Sequence, residues 1–500
     1  MLLGFVILYL LGSVGIGLIA ATRVHNTKDY AVAGRGLPFP VVMGTVFATW
    51  FGAESVFGIS STFLKDGLGG IVADPFGSSL CLVLAGILFS RYLYKLNIIT
   101  LGDFFRLRFN RTIQVVATIC IVISYLGWVA AQIKALGLLF SAVSGGSVGE
   151  DTGMIVGGIL VLTYTVFGGM FSVAILDFVQ MLVMIGGLLF IAWLTAGRVD
   201  GGVTAVVNSA SAHGKFAFFP DKADPWLWLT FFGTWTTMMF GSIPQQDVFQ
   251  RITSAKSAKI ALWGSVAGAS LYFVFTFVPI FIAYAATMID PAGFGSMVQD
   301  KAELIIPTLV KRDTPMIAQV LFYGAVLSAI MSTASATLLA PSVSFAENII
   351  KDFFPHMGDH QFLRVMRGCL IVFACMVLAF ALNTESSIYK MVENAYKVTL
   401  AGAFVPLVFG ILWKRATNQG ALAAVFGGLV SWILVEVLLG DASPLPSQLI
   451  GLFVSAAGMI AGSLLPQWVG HRTPGRPLHE LQHHAAAETH HVAGHGRHHA

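Results

Sequence analysis

Charge is what this chain has least of: Asp, Glu, Lys and Arg make up 11% of its 500 residues, against roughly 25% in ordinary soluble domains. Hydrophobic residues make up 56%, and together the two figures exclude a water-soluble globular protein, whose surface needs charge. Cysteine is scarce too. Cys81, Cys120, Cys369 and Cys375 all fall in apolar stretches, where each behaves as a small hydrophobe and points to neither a disulfide framework nor a metal site. The apolar stretches hold no nucleophile–base pair and no metal-ligand motif, which argues against an enzyme and against a cofactor. The formal net charge is +4, and the basic residues are spread over separate loops, which excludes nucleic-acid binding.

What the sequence does have is long apolar runs, each near the roughly 20 residues that span a bilayer. About thirteen are expected: 2–21, 39–64, 70–91, 113–142, 153–170, 174–197, 226–248, 260–287, 314–349, 366–383, 391–413, 419–439 and 446–466. The first lacks a basic flank and a small-residue cleavage site, so it reads as a helix rather than a signal peptide. Alternate loops collect Lys and Arg, among them Arg23, Lys28 and Arg35, then Arg91, Lys95, Arg106, Arg108 and Arg111, then Arg251, Lys256 and Lys259. The intervening loops are richer in acids, such as Glu150, Asp151, Asp200, Asp221, Asp290 and Asp441. The positive-inside rule then sets the amino terminus outside and the carboxyl terminus in the cytoplasm of a plasma (inner) membrane. Residues 1–466 form the membrane domain, and 467–500 form a histidine-rich cytoplasmic tail. The tail's composition predicts disorder, although a histidine tract can also bind metal.

Polar groups inside a membrane are costly, so they mark where function is sought. The second span reads Phe47-Ala48-Thr49-Trp50-Phe51-Gly52-Ala53-Glu54-Ser55. Small residues, a carboxylate and a tryptophan at mid-span suit a broken helix lining a cavity, where freed carbonyls can meet a cation. Close helix packing at Gly52 and Ala53 is the alternative. In the ninth span Ala329, Ser332 and Thr333 stand at i, i+3 and i+4, on one helical face, and offer a carbonyl and two hydroxyls to a hard cation. Hydroxyls of this kind also serve as glue between helices. A third stretch, Gly168 to Gln180, is a tight glycine turn feeding a helix that carries Asp177.

Taken together, these stretches resemble the sodium:solute symporter family over roughly residues 1–465. The Gly168 to Gln180 run is similar to a family signature, with Leu176 where a threonine is usual. The Ala329 to Thr333 run is similar to the family's ion-binding helix. The resemblance implies an all-α, LeuT-like inverted-repeat core with a broken second helix, spans two to six being related to spans seven to eleven. It also implies a sodium site from the carbonyls of Ala48, Phe51 and Ala329 and the hydroxyls of Ser332 and Thr333, with Asp177 lining the ion exit. Sodium is then the coupling ion, and the partners are a small solute and the lipid bilayer.

Within the family, Ala48-Thr49-Trp50, Leu126-Gly127-Trp128 and Ile243 to Arg251 look most like the high-affinity choline transporter branch. That likeness makes Trp50 and Trp128 cage residues for an amine or quaternary ammonium. Gln245 stands where the branch has another tryptophan, and Ser78 where an aromatic is expected. Glu54 and Asp74 join Trp50, Trp128 and Gln245 as candidate solute-binding residues. As buried acids they need a cation, a hydrogen-bond donor or a proton. A cationic solute would serve, and so would a structural pair with Lys134. Sodium-coupled solute uptake is the expected activity, with a proton-coupled carrier or a transporter-like sensor as alternatives.

Overall fold

A computed structural model describes residues 2–220, 224–354, 356–439 and 445–469. The histidine tail from Gly470 onward lies outside the described residues, as do Asp221 and Asp441. Every regular element among the described residues is helical, apart from one isolated bridge between Leu37 and Ala255. By length and composition nine described helices can cross a membrane, or ten with one bent pair counted as a span. That test does not establish the expected thirteen.

The elements that build the site are α1 (Leu2–Ala21), α2 (Phe39–Trp50), α3 (Ile59–Asp66), α4 (Arg111–Ser144), α5 (Glu150–Ala196), α6 (Pro225–Gly241), α7 (Gln246–Thr253), α8 (Ala258–Ile289), α9 (Met316–Phe345) and α10 (Ile388–Thr399). Helix α2 packs against α5, α8 and α9, which puts the middle of the second span in the protein interior rather than against lipid. Helix α5 runs for 47 residues, about 70 Å if straight, more than twice the ~30 Å hydrocarbon core. It is not straight. Gly169 adopts φ 50° and ψ −143°, a left-handed conformation that side chains avoid. Tyr164 and Asp177 would be about 20 Å apart along a straight helix. Yet the Tyr164 hydroxyl donates to Met331 O at 2.9 Å, and Asp177 accepts from Ser332, the next residue, at 2.5 Å. The chain turns at Gly169, so the runs expected at 153–170 and 174–197 fall on two helical arms that meet there. Leu2–Ala21 is helical as expected, and the run at 226–248 is divided between α6, of 17 residues, and α7.

Two basic residues assigned to loops are not there. Arg108 is 1% exposed and donates from Nε to Gly410 O at 2.9 Å, and Arg251 is 1% exposed on α7. A guanidinium this deep needs fixed acceptors, so neither side chain is a free loop charge of the kind the orientation rule counts.

Candidate functional site

The site begins where the second span breaks. After α2 the backbone of Phe51 turns to φ −85° and ψ 80°, and α2 and the following helix through Asp66 meet at a 58° bend. In an unbroken helix the Gly52 amide would donate to Ala48 O. Here it donates to Trp50 O instead, at 3.1 Å. The freed Ala48 carbonyl takes hydroxyls from another helix: Ser332 Oγ at 3.0 Å and Thr333 Oγ1 at 3.3 Å. Gln132 of α4 caps the far side of the break, its Oε1 accepting from the Ala53 amide at 2.9 Å. Only glycine fits at position 52. A Cβ there would lie 2.6 Å from Thr333 Oγ1, 2.7 Å from Gln132 Oε1 and 2.9 Å from Glu54 Oε2.

Three of the five expected sodium ligands, Ala48, Ser332 and Thr333, are thus brought together by direct contact. Phe51 stands at the break itself and Ala329 one turn before Thr333, both fully buried. Asp177 is fully buried, and its carboxylate accepts from Ser332 Oγ at 2.5 Å and from Thr45 Oγ1. Ser332 therefore has one proton and two acceptors in reach, Ala48 O and Asp177 Oδ1. Such an excess of oxygen over hydrogen favours a hard cation.

Helix α7 packs against α2 and α9 with every residue buried. Arg251 Nε donates to Thr49 Oγ1 and its Nη1 to Asp247 O at 3.0 Å, while the Tyr125 hydroxyl donates to Asp247 Oδ1. Gln250 Nε2 donates to Ala31 O at 3.0 Å, and Gln246 Oε1 accepts from the Leu101 amide at 2.9 Å. These bonds tie α7 to four separate segments of the chain.

The solute-side residues form a second cluster across Gly52. Glu54 accepts from Trp128 Nε1 at 3.2 Å and from Gln132 Nε2 at 2.6 Å. Asp74 accepts from Ser78 Oγ at 2.5 Å and from the Tyr272 hydroxyl at 2.6 Å. Both acids are 2% exposed, and among the described residues neither forms an ion pair. Lys134 does not pair with them; its ammonium donates to Ser386 O at 2.8 Å, at the protein's edge. That alternative is set aside, because a lysine reaching solvent keeps its hydration.

Trp50 and Trp128 lie 5.5 Å apart edge to face, and Tyr396 of α10 completes the group at 6.0 Å from Trp50 and 5.6 Å from Trp128. Gln245, the remaining candidate, is buried. Its amide bonds Ser124 Oγ at 3.0 Å and Thr399 Oγ1 at 3.3 Å.

Thr45, Gln132, Tyr272 and Tyr396 were not singled out in the sequence. Thr45 lies one turn before Ala48 and Thr49 on the same face of α2, a signal that was readable. The other three come from distant helices and carry no local pattern. A cavity of about 860 Å3 opens between Ser61, Lys65, Lys134, Glu303, Tyr389 and Glu393. Tyr389 and Glu393 also line a narrow crevice that reaches Glu54 and Asp74.

A broken, buried helix with freed carbonyl and hydroxyl oxygens is the arrangement in which membrane transporters hold an ion. The comparisons with known proteins agree: the chain belongs to the sodium:solute symporter family, which matches residues 30–428. It is 27% identical to the human high affinity choline transporter 1 over 447 residues, covering 86% of this chain and 75% of that protein. It is 26% identical to the Escherichia coli sodium/pantothenate symporter over 484 residues, covering 92% and 96%. Among solved structures it resembles the substrate-bound outward-open state of a Na+-coupled sialic acid symporter, with TM-score 0.78, 20% identity and coverage of 93% and 97%. It also resembles Mhp1, a nucleobase-cation-symport-1 family transporter, with TM-score 0.59, 14% identity and coverage of 91% and 97%. These last two likenesses establish the LeuT-like fold. Membership of the family makes the chain an integral membrane protein that couples solute transport to sodium.

Proposed function

We propose that the protein takes up a small organic cation, an amine or quaternary ammonium, by sodium-driven alternating access. The carrying observation is the pair of buried acids, Glu54 and Asp74, which have no basic partner among the described residues, with Glu54 bonded to Trp128 of the Trp50–Trp128–Tyr396 ring group. A carboxylate in such a place calls for a positive charge, and aromatic faces attract the same charge. Choline transporters among the relatives support this class of solute. Sodium is held by the carbonyls of Ala48, Phe51 and Ala329 and the hydroxyls of Ser332 and Thr333, and Asp177 receives it on the way to the cytoplasm. Each charge moved through 100 mV supplies about 2.3 kcal/mol, enough with a concentration gradient to drive accumulation. The vestibule at Tyr389 faces outward and α7 closes the cytoplasmic side, in a plasma membrane orientation with the amino terminus outside.

The test is uptake of labelled amines, choline, sugars and carboxylates into proteoliposomes, with sodium or potassium outside. A nitrogen cation concentrated in sodium and not in potassium is the expected result. Uptake that follows a proton gradient instead would reassign Glu54 and Asp74 as proton carriers, and binding without flux would identify a sensor.

A further inference from the structure

Two segments far apart in the chain meet at the start of α8 and bring positive charge with them. One is the end of the described span Leu68–Leu96, which carries Arg91 and Lys95. The other is the turn into α8, which carries Lys256 and Lys259. All four side chains are exposed. The Tyr94 hydroxyl donates to Ala255 O at 2.7 Å, so Lys95 and Lys256 are each the chain neighbour of a residue in one direct bond. Behind the charges the two helices stay in close contact, since a Cβ on Gly86 would lie 2.8 Å from the Ser265 side chain.

No acid neutralises this patch. Among the described residues none of the four cations forms an ion pair, whereas Arg106 and Arg111 share Asp352 and Lys351 pairs with Glu347. The nearest acids along the chain, Asp103 and Asp247, are turned to partners of their own: Asp103 accepts from the amides of Ile99 and Thr100, and Asp247 from the Tyr125 hydroxyl. One turn inward the exposed surface becomes apolar. Ile87, four residues before Arg91, is 42% exposed, and Trp263, four residues after Lys259, is 54% exposed. A tryptophan between lysines and an exposed apolar face marks the depth at which a spanning helix meets the lipid headgroups. Like charges held together without an acid repel one another, and an anion at that depth relieves the repulsion.

We infer that Arg91, Lys95, Lys256 and Lys259 bind the phosphodiester headgroup of an anionic phospholipid, whose acyl chains run along the exposed face at Ile87 and Trp263. Basic residues gathered between spanning helices are the feature that anionic headgroups occupy, and the bilayer around the protein supplies the ligand. A zwitterionic lipid brings a cation of its own and gains less from the patch. The bound headgroup bridges two helices that already meet at the solute side, because Leu68–Leu96 carries Asp74 and α8 carries its hydrogen-bond donor Tyr272. The inference does not depend on which solute is carried.

The test is native mass spectrometry of the purified full-length protein mixed with equal amounts of phosphatidylglycerol and phosphatidylcholine. The parent is expected to retain phosphatidylglycerol about tenfold over phosphatidylcholine, a modest share of what four cations near a headgroup can supply. Arg91→Gln, Lys95→Gln, Lys256→Gln and Lys259→Gln together are expected to reduce that preference to about twofold or less. A control removes equal charge at exposed positions elsewhere, with Arg23→Gln, Lys28→Gln, Arg364→Gln and Arg415→Gln, and is expected to keep most of the preference. The pair Lys256→Gln and Lys259→Gln carries the test if the fourfold variant does not fold, and is expected to lose about half of the preference on a logarithmic scale. Free glycerol 3-phosphate, which has the phosphate without the chains, is expected to leave the bound lipid in place. Equal retention of the two lipids by the parent, an unchanged preference in the Lys256 and Lys259 pair, an equal loss in the control, or displacement by glycerol 3-phosphate would each overturn the inference.

Discussion

At the scale of single residues the account turns on oxygen atoms. Ser332→Ala removes the hydroxyl between Ala48 O and Asp177, and Thr333→Ala the one beside Gly52. Each is expected to raise the sodium concentration for half-maximal uptake about tenfold, the loss of roughly 1.4 kcal/mol that one hydrogen-bond-sized contact represents. Unchanged sodium dependence in both well-expressed variants would refute the ligand assignment. Trp50→Leu or Trp128→Leu keeps apolar bulk but removes the ring face, worth about 0.5–2 kcal/mol toward a cation, so solute affinity should fall roughly three- to thirty-fold. Sodium affinity measured without solute should change much less, since its proposed ligands are not rings. The sequence showed the residues of both clusters that lie close together in the chain, such as Ala48 to Glu54 and Ala329 to Thr333. It did not show Gln132, which bridges Glu54 to the Ala53 amide, or Tyr396, because an isolated polar or aromatic residue in an apolar helix looks the same whether it faces lipid or a neighbour.

At the scale of elements, two breaks set the architecture, and both are legible because glycine marks them. Gly52 lets the second span open, and a methyl group there would collide with oxygens of Thr333, Gln132 and Glu54. Gly169 turns α5, where a Cβ would lie 2.5 Å from the Tyr30 ring and 2.6 Å from Tyr30 O. Gly169→Ala is therefore expected to lower the yield of monodisperse protein or its melting temperature by several degrees. A Gly169→Ala protein with parental thermal stability would show that the left-handed turn is not required. Helix α7 was harder to read. Its polar residues, Gln246, Asp247, Gln250 and Arg251, resemble a loop at the membrane surface, yet all are buried and bonded to other segments. Charge in a sequence signals exposure only when no partner is available inside, and the partners here, Thr49, Ala31 and Tyr125, lie more than a hundred residues away in the chain.

At the scale of the whole molecule, the helical class and the membrane setting followed from composition and run length, and the broken second span from the small and polar residues at its middle. Run length is ambiguous where a helix stops short of a full span, as in Pro225–Gly241. The composition of the histidine tail predicts disorder, so solute uptake by a protein shortened after Gly470 is expected to stay within twofold of the parent. Loss of uptake with normal membrane insertion would make the histidine tail a regulator. The central claim is coupling, and the most direct measurement is 22Na+ influx into proteoliposomes with and without the transported solute. The account predicts that solute stimulates 22Na+ influx and that Ser332→Ala weakens the stimulation at low sodium. Solute accumulation with no accompanying 22Na+ influx would contradict it.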